Sequence, residues 1–578
     1  MRFALSYFFG DMMNYKNRYI TSAALLLISS VIVKAIGAVY KIPLTAYVGA
    51  VGRGYFATAY NVYLPFHAVI MGAFPIALSK LVSQYNASGD ASLVSAAKRG
   101  SLRLFSKVGI AGTLIIAALA KPYSELIASS PKSIYTILVL APSIFFSALA
   151  ASYRGFYEGF MNMRPTSVSQ TLEALFKMIF GLIFARVSMA YLLEVYRTTG
   201  CVLGEAVTSK EHALSLIYPV TSAAAMLGVT LGSAVSLLYV FIYYHINKGS
   251  LPKAGRAQSR LVQSELLSLS FPIMMSAAVQ SVFQFIDTAT VQYALSGVDA
   301  EVLKTAYSEC VSISKTQNGD LSTYVYGLFS ASLDFKNLLP GITMALGVCA
   351  VPAVSGAYEA KNGEQLSKLI NEIYKYTVLL SALGGIALAF CSREVLDLFY
   401  KKASPDIPIG CDGLVKYFAL TGVLYCVAST AVFCVQAIGR ANKSIAPYIV
   451  SGIIRAFLNI ILVGDKNFLL FGGVISGAVG YFVMCVWNLL IVRKYSKTKF
   501  DFKNVLLKPM IISVLTFVFS TKVYNLIDFG QNQLNNLLIK SSICGVLFCM
   551  LCFLTGMLKI RQNFCIKKCP KHLQLKEK

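Results

Sequence analysis

The sequence predicts an all-α polytopic membrane protein of about fourteen transmembrane helices. Two six-helix lobes, related by a pseudo-two-fold axis along the membrane normal, are followed by two further C-terminal helices. Three observations predict this. Of 578 residues, 56% are hydrophobic and only 13% are charged, whereas a soluble protein carries about 25% charged residues. The apolar residues come in runs of about 20, the length a helix needs to cross about 30 Å of hydrocarbon. The pattern around the fifth run also recurs in the eleventh.

In chain order the spans fall at 19–40, 54–79, 103–120, 133–153, 165–186, 219–245, 266–293, 325–357, 369–391, 413–437, 443–463, 468–492, 505–524 and 537–558. Arg2, Lys16 and Arg18 precede span 1, and no small-residue cleavage site follows it, so it reads as an anchor that stays in the membrane. Span 8 is long and carries Asp334, Lys336 and Pro340 within its apolar run. It and span 13 are the least regular of the set.

The net charge of +26 orients the spans, because cytoplasmic loops gather Lys and Arg. With both termini in the cytoplasm, the basic clusters Lys98, Arg99 and Arg103; Lys248, Lys253, Arg256 and Arg260; Arg493, Lys494, Lys497, Lys499 and Lys503; and the tail from Lys559 all lie inside. Asp299, Glu301, Glu309 and Asp320 then lie outside. The basic residues occupy short loops between apolar spans, which argues against nucleic acid as a partner and for contact with membrane lipids.

The internal repeat sets the domain plan. Span 5 reads P-x7-E-A-L-F-K from Pro165 to Lys177, and span 11 reads P-x7-R-A-F-L-N from Pro447 to Asn459. Short loops with Gly159 and Asn162, then Gly439 and Asn442, precede them. Span 2 carries Pro65 and Pro75, and span 8 carries Pro340 and Pro352. Glu173 and Arg455 occupy matching positions 282 residues apart. The expected organisation is a cytoplasmic N-terminus at 1–18, an N-lobe at 19–247, a cytoplasmic linker at 248–265, a C-lobe at 266–494, spans 13 and 14 within 503–558, and a basic tail at 559–578. Six spans per lobe is an even number, so the lobes share an orientation. This is the parallel-repeat transporter plan, with the site between lobes.

The thirteen cysteines are scattered, most of them inside apolar spans. Their spacing implies no disulfide framework. Cys549 and Cys552 form a C-x-x-C without a second pair. Cys565, Cys569 and His572 lie in the basic tail and read as ordinary thiols and imidazole, not as a metal site.

Ionisable residues inside apolar spans point to function, because each costs roughly 2.5–3.5 kcal/mol at the bilayer centre unless it is turned inward. Lys34 lies about 22 Å along span 1 and His67 about 20 Å along span 2. Glu173 and Lys177 lie about 12 and 18 Å along span 5, and Arg455 about 18 Å along span 11. Lys34 could instead snorkel outward, and Glu173 and Lys177 could neutralise each other at i,i+4. Asp287, late in span 7, reads equally as an outer cap or a cavity acid. Lys34, Lys177 and Arg455 against Glu173 make a basic excess, which favours an anionic ligand. The cavity is expected between spans 1, 2, 7 and 8, with Asn61 on its wall. No P-loop, H-E-x-x-H or nucleophile elbow is present. No enzyme activity, cofactor or built-in ATP motor is therefore expected.

Three segments carry a family resemblance: Y-R-G-F-Y-E-G-F-M-N-M-R-P-T-S-V-S-Q (Tyr153–Gln170), F-I-D-T-A-T-V (Phe285–Val291) and N-L-L-P-G-I-T-M-A-L-G-V-C-A-V-P-A-V-S (Asn337–Ser355). Together they resemble stage V sporulation protein B-like polysaccharide transporters. These belong to the multidrug/oligosaccharidyl-lipid/polysaccharide exporter superfamily, which includes the lipid II flippases. The resemblance implies fourteen helices, a V-shaped central cavity, a place in the bacterial cytoplasmic membrane, and flipping of an undecaprenyl-diphosphate-linked saccharide from the inner to the outer leaflet. In lipid II flippases, arginines near the start of the chain contact the diphosphate. Ser30–Gly37 (S-V-I-V-K-A-I-G) places Lys34 at the first of these positions, and the second falls near Tyr40 and Lys41. Leu64-Pro65-Phe66-His67 lacks the third.

The reading is a flippase for a lipid-linked anionic saccharide, a peptidoglycan precursor such as lipid II, serving the spore cortex. Lys34, Lys41, Asn61, His67, Lys177 and Arg455 are its substrate-side residues. Glu173 would organise them, and Asp287 would respond to protons or cations. Cell-wall synthesis enzymes are the implied protein partners. The rivals are a multidrug cation antiporter, which needs an acidic cavity, and a non-transporting cell-wall scaffold.

Overall fold

The structure, a computed structural model, describes residues 15–557 apart from 248–251, 253, 254, 362, 403, 499 and 526–532. Lys248 and Lys253 of the linker cluster, the basic tail, and Cys565, Cys569 and His572 lie outside the described residues.

All fourteen predicted spans are mainly helical over their described residues. Helix α1 (Tyr15–Ala87) holds spans 1 and 2 and breaks at Gly49, with φ 62° and ψ −174°. Glycine suits this backbone, and a Cβ here would lie 3.3 Å from the Tyr218 ring. Helix α2 (Ala91–Pro122) is span 3, and the Asp90 side chain accepts from the Ser92 and Leu93 amides at its start. Span 4 is split into α3 (Ile134–Leu140) and α4 (Pro142–Glu158). Pro142 opens α4, where no backbone donor is needed. Span 5 is α5 (Arg164–Thr199), closed by Gly200 in the left-handed conformation.

Next come a hairpin of β1 (Cys201–Val202) and β2 (Glu205–Ala206), then α6 (Lys210–Asn247), which is span 6. Span 7 is α7 (Arg256–Ser296), followed by the short α8 (Ala300–Ala306) and α9 (Ser308–Ser314). Span 8 comprises α10 (Leu321–Lys336) and α11 (Leu338–Glu359). Spans 9 and 10 are α12 (Gly363–Phe390) and α14 (Asp406–Ala437), with α13 (Ser392–Tyr400) between them. Helices α15 (Ile445–Gly464), α16 (Leu470–Ser496), α17 (Lys508–Asn525) and α18 (Gln533–Leu554) complete the chain. Among the described residues, eleven helices are long and apolar enough to cross a membrane by length and composition.

Two sequence expectations change. The segments 187–218 and 294–324 read as long loops. Instead, α5 runs on to Thr199, the turn is a two-strand hairpin, and α8 and α9, with the end of α7, a 3-10 turn and the start of α10, fold most of the second segment. Leu203 and Gly204, at φ 52° and 86°, supply the tight turn such a hairpin requires. Pro340 reads as a bend inside one helix, but span 8 breaks at Asn337 and Pro340 sits in the first turn of the new helix, where its missing donor costs little.

One apolar core joins spans 1–6 and takes in Val262, Leu266 and Ala289 of α7. A second gathers α10 and α14 with Ala50, Val51 and Tyr55 of α1 near the Gly49 break. Helices α17 and α18 pack on α12 through Leu379, Ile386, Ile512 and Phe548.

Candidate functional site: the inter-lobe charge cluster

The lobes meet where span 2 crosses span 8, and small residues make the approach possible. A Cβ on Gly54 would collide with the Thr323 carbonyl, and one on Gly327 with the Ala50 carbonyl. Thr323 follows Ala50, and Gly327 follows Gly54, by the same 273 residues. The contact is therefore self-complementary, as a two-fold interface requires. The polar bonds obey the same rule. Arg53 pairs with Asp334, and the Asn61 amide donates to the Tyr326 hydroxyl. Tyr326 follows Arg53, and Asp334 follows Asn61, again by 273 residues. One rotation relates the two bonds, but one is an ion pair and the other neutral.

Further bonds seal this end. Gln292 of α7 donates to Thr58 at 2.7 Å, and Tyr55 donates to Asp320 at 2.9 Å. Lys132 reaches Asp320 at 3.3 Å, and Lys315 pairs with Glu211 at 3.1 Å. At the opposite end, Tyr85 donates to Glu265, and Gln263 donates to the Gly100 carbonyl at 3.2 Å. The second half of span 8, α11, packs mainly on α12 and α14.

Next to this seal the basic side chains gather. Lys41 also pairs with Asp334, so two cations share one carboxylate. Arg53 is nearly buried at 6% exposure, with its guanidinium also on Thr45 at 2.9 Å, while Lys41 remains 42% exposed. Lys177 lies over Tyr60 and Tyr40, 4.8 and 5.7 Å from their ring centroids. Three buried polar atoms around this cluster lack a hydrogen-bond partner among the described residues: Arg53 Nε, Tyr40 Oη and Tyr60 Oη. Lys34 is exposed on span 1, two turns before Lys41. A helix brings i and i+7 to nearly the same face, so Lys34 continues the Lys41 face. A Cβ at Gly37, on that face between them, would meet nothing within 4 Å.

The remaining expected residues fall into two separate networks. Glu173 pairs with Arg154 of α4 at 2.9 Å, and Arg154 also donates to Ser236 at 2.6 Å and Ser169 at 2.9 Å. Glu173 makes its direct ion pair with Arg154, and its attraction to Lys177 one turn away remains beside that pair. His67 packs on Tyr63 with ring centroids 5.1 Å apart. In the other lobe, Arg455 pairs with Asp287, and Asn459 donates to the Asp287 carboxylate at 3.0 Å. Arg455 lies over Tyr481 at 4.7 Å, and Lys336 donates to the Tyr481 hydroxyl at 3.2 Å. Asp287 is thus an interior acid already committed to Arg455, not an outer cap. Asn61, expected on a cavity wall, is instead buried in the lobe contact, because Tyr326 and Tyr123 take its amide.

Arg53, Arg154 and Asp334 were not among the expected site residues. Arg53 lies between two apolar runs and reads as loop, and Arg154 is hidden in a Gly- and Tyr-rich motif. Lys98, which reads as one of a solvent-facing cytoplasmic cluster, is buried with its ammonium 3.2 Å from the Tyr153 ring centroid.

Residues 20–209 match the family described as polysaccharide biosynthesis protein. Over 513 residues, 86% of each chain, the sequence is 21% identical to the lipid II flippase MurJ of Bacillus subtilis (strain 168). It is 20% identical over 527 residues to stage V sporulation protein B of the same organism, covering 90% of this chain and 92% of that one. The fold matches a solved structure of the lipid II flippase MurJ in its inward closed conformation. The TM-score is 0.65 at 16% identity, covering 93% of this chain and all of the other.

Proposed function

On the premise that this multi-pass membrane chain is a homologue of the lipid II flippase and of stage V sporulation protein B, we propose that it flips an undecaprenyl-diphosphate-linked saccharide from the inner to the outer leaflet by alternating access. The substrate class is a peptidoglycan precursor such as lipid II, and the setting is spore cortex synthesis. In this reading residues 19–247 and 266–494 are the moving lobes and both termini are cytoplasmic.

The observation that carries the proposal is the uncompensated positive charge at the lobe contact. Lys41 and Arg53 share Asp334, Lys177 stands over two aromatic faces with Glu173 one turn away and already paired with Arg154, and Lys34 extends the same face. A diphosphate supplies the missing negative charge and accepts from the unpartnered donors. Lys34, Lys41 and Lys177 take the diphosphate, while His67 and Arg455 face the saccharide. Glu173 and Asp287 hold Arg154 and Arg455 in place within their own lobes. A multidrug cation antiporter requires the opposite charge balance. The test is binding by purified protein in nanodiscs. Fluorescent lipid II should bind, and Lys177→Gln should weaken it, while ethidium should not compete. Competition by ethidium with no effect of Lys177→Gln would favour the cation antiporter.

A further inference from the structure

We propose that Asp334 is a built-in stand-in for the substrate's diphosphate, holding the basic site and the outer seal closed until the substrate anion displaces it. The inference rests on the flippase reading and adds a coupling device to the same site.

The two bonds across the lobe contact are related by one rotation. Closure of the lobe contact needs hydrogen bonds on both sides of the Gly54–Gly327 crossing. On one side it has a neutral Asn61–Tyr326 bond. On the other, the equivalent positions carry Asp334 and Arg53, and Lys41 joins them. A neutral pair would close the interface without removing charges from water, a step whose cost can exceed the attraction gained. The ion pair brings something the neutral pair lacks: its carboxylate can be replaced by another anion.

The geometry is that of an exchange site. Asp334 comes from span 8, while Lys41, Arg53, Tyr40 and Tyr60 come from α1 and Lys177 from α5. Among the described residues, Lys41 and Arg53 share this single carboxylate, and Arg53 Nε, Tyr40 Oη and Tyr60 Oη remain without acceptors. An oxygen-rich dianion entering along the exposed Lys34–Lys41 face can take both cations and those donors. Asp334 is then released, and with it the ionic tie between span 2 and span 8. Closure of the outer end is thereby linked to an empty site. Opening is linked to a loaded one.

The tie also competes with the ligand, so removing it should tighten binding. The probe is geranylgeranyl diphosphate, added to the full chain in detergent. Asp334→Asn should bind it about tenfold tighter than the parent, the range expected when a competing closed state is removed. Asp334→Glu, which keeps the carboxylate, should stay near the parent, and Lys41→Gln should weaken binding. Equal affinities for Asp334→Asn and parent overturn the inference and leave the flippase reading intact. Loss of binding in every variant including the parent overturns both. A second measurement needs no change at Asp334. In a Thr323→Cys protein, geranylgeranyl diphosphate should raise the rate of labelling by a membrane-impermeant thiol reagent above the native-cysteine background. An unchanged rate overturns the inference.

Discussion

Arg53 and Asp334 bridge the two lobes at the positions where, after rotation about the Gly54–Gly327 crossing, Tyr326 and Asn61 form the same bridge. The two bonds share the geometry of the repeat and differ in chemistry, one being an ion pair and the other neutral. That asymmetry places a cation cluster at the lobe contact, where a transporter of parallel repeats holds its site.

The closeness of the crossing sets the first prediction. Gly54→Val and Gly327→Val should each prevent the outer ends from meeting, because the added carbon collides with backbone. Overpacking of this kind costs typically 1–3 kcal/mol. Both variants should label faster with an impermeant thiol reagent at Thr323→Cys and should lose transport. Gly37→Ala, with open space around its Cβ, should match the parent in both measurements.

The pairs inside the lobes should behave as structural ties. Arg154→Ala removes the partner of Glu173 and leaves a carboxylate in a largely buried site, a change that costs about 3–5 kcal/mol. The double change Arg154→Ala with Glu173→Gln should recover part of the lost thermal midpoint in detergent. Recovery is the readout of a tie. If the double variant is no more stable than Arg154→Ala, the tie is not what Glu173 provides. Asp287→Asn and its combination with Arg455→Gln should repeat the pattern in the C-lobe.

Lys177 should show the opposite behaviour. It lies over aromatic neighbours, and the nearby Glu173 is already paired with Arg154. Lys177→Gln should therefore leave the thermal midpoint close to that of the parent while weakening lipid diphosphate binding at least tenfold, about 1.4 kcal/mol. A large drop in midpoint with unchanged binding would make it a structural residue.

Membrane potential should assist export. Moving one negative charge outward across an inside-negative membrane gains about 2.3 kcal/mol per 100 mV. Lys34→Ala should slow flipping by raising the barrier for the diphosphate, yet the residual rate should keep its dependence on potential, because the charge moved is the substrate's own. Rates of parent and variant that ignore an imposed potential would remove it as a driver.

The helices were legible because a bilayer demands long apolar runs, and each of the fourteen runs is helical. What lay outside the runs was less so. Val187–Thr199 is too polar to read as span, yet it stays helical until Gly200 ends it. Pairing was the least legible feature. Glu173 and Lys177 lie one turn apart, but Arg154 is brought to Glu173 by the packing of α4, α5 and α6, which no spacing along span 5 reveals. Asp334 was visible only as an irregularity of span 8. Its meaning depends on Arg53, 281 residues away in sequence, and on the alignment of the two lobes about Gly54 and Gly327.

The most direct test of the account is flipping of fluorescent lipid II in proteoliposomes, corrected for protein orientation, with the parent and with Lys41→Gln and Lys177→Gln. The account predicts that the parent moves lipid II across the bilayer faster than empty vesicles and that both variants fall toward the empty-vesicle rate while remaining folded. A parent rate equal to that of empty vesicles, or full activity in both variants, would contradict it.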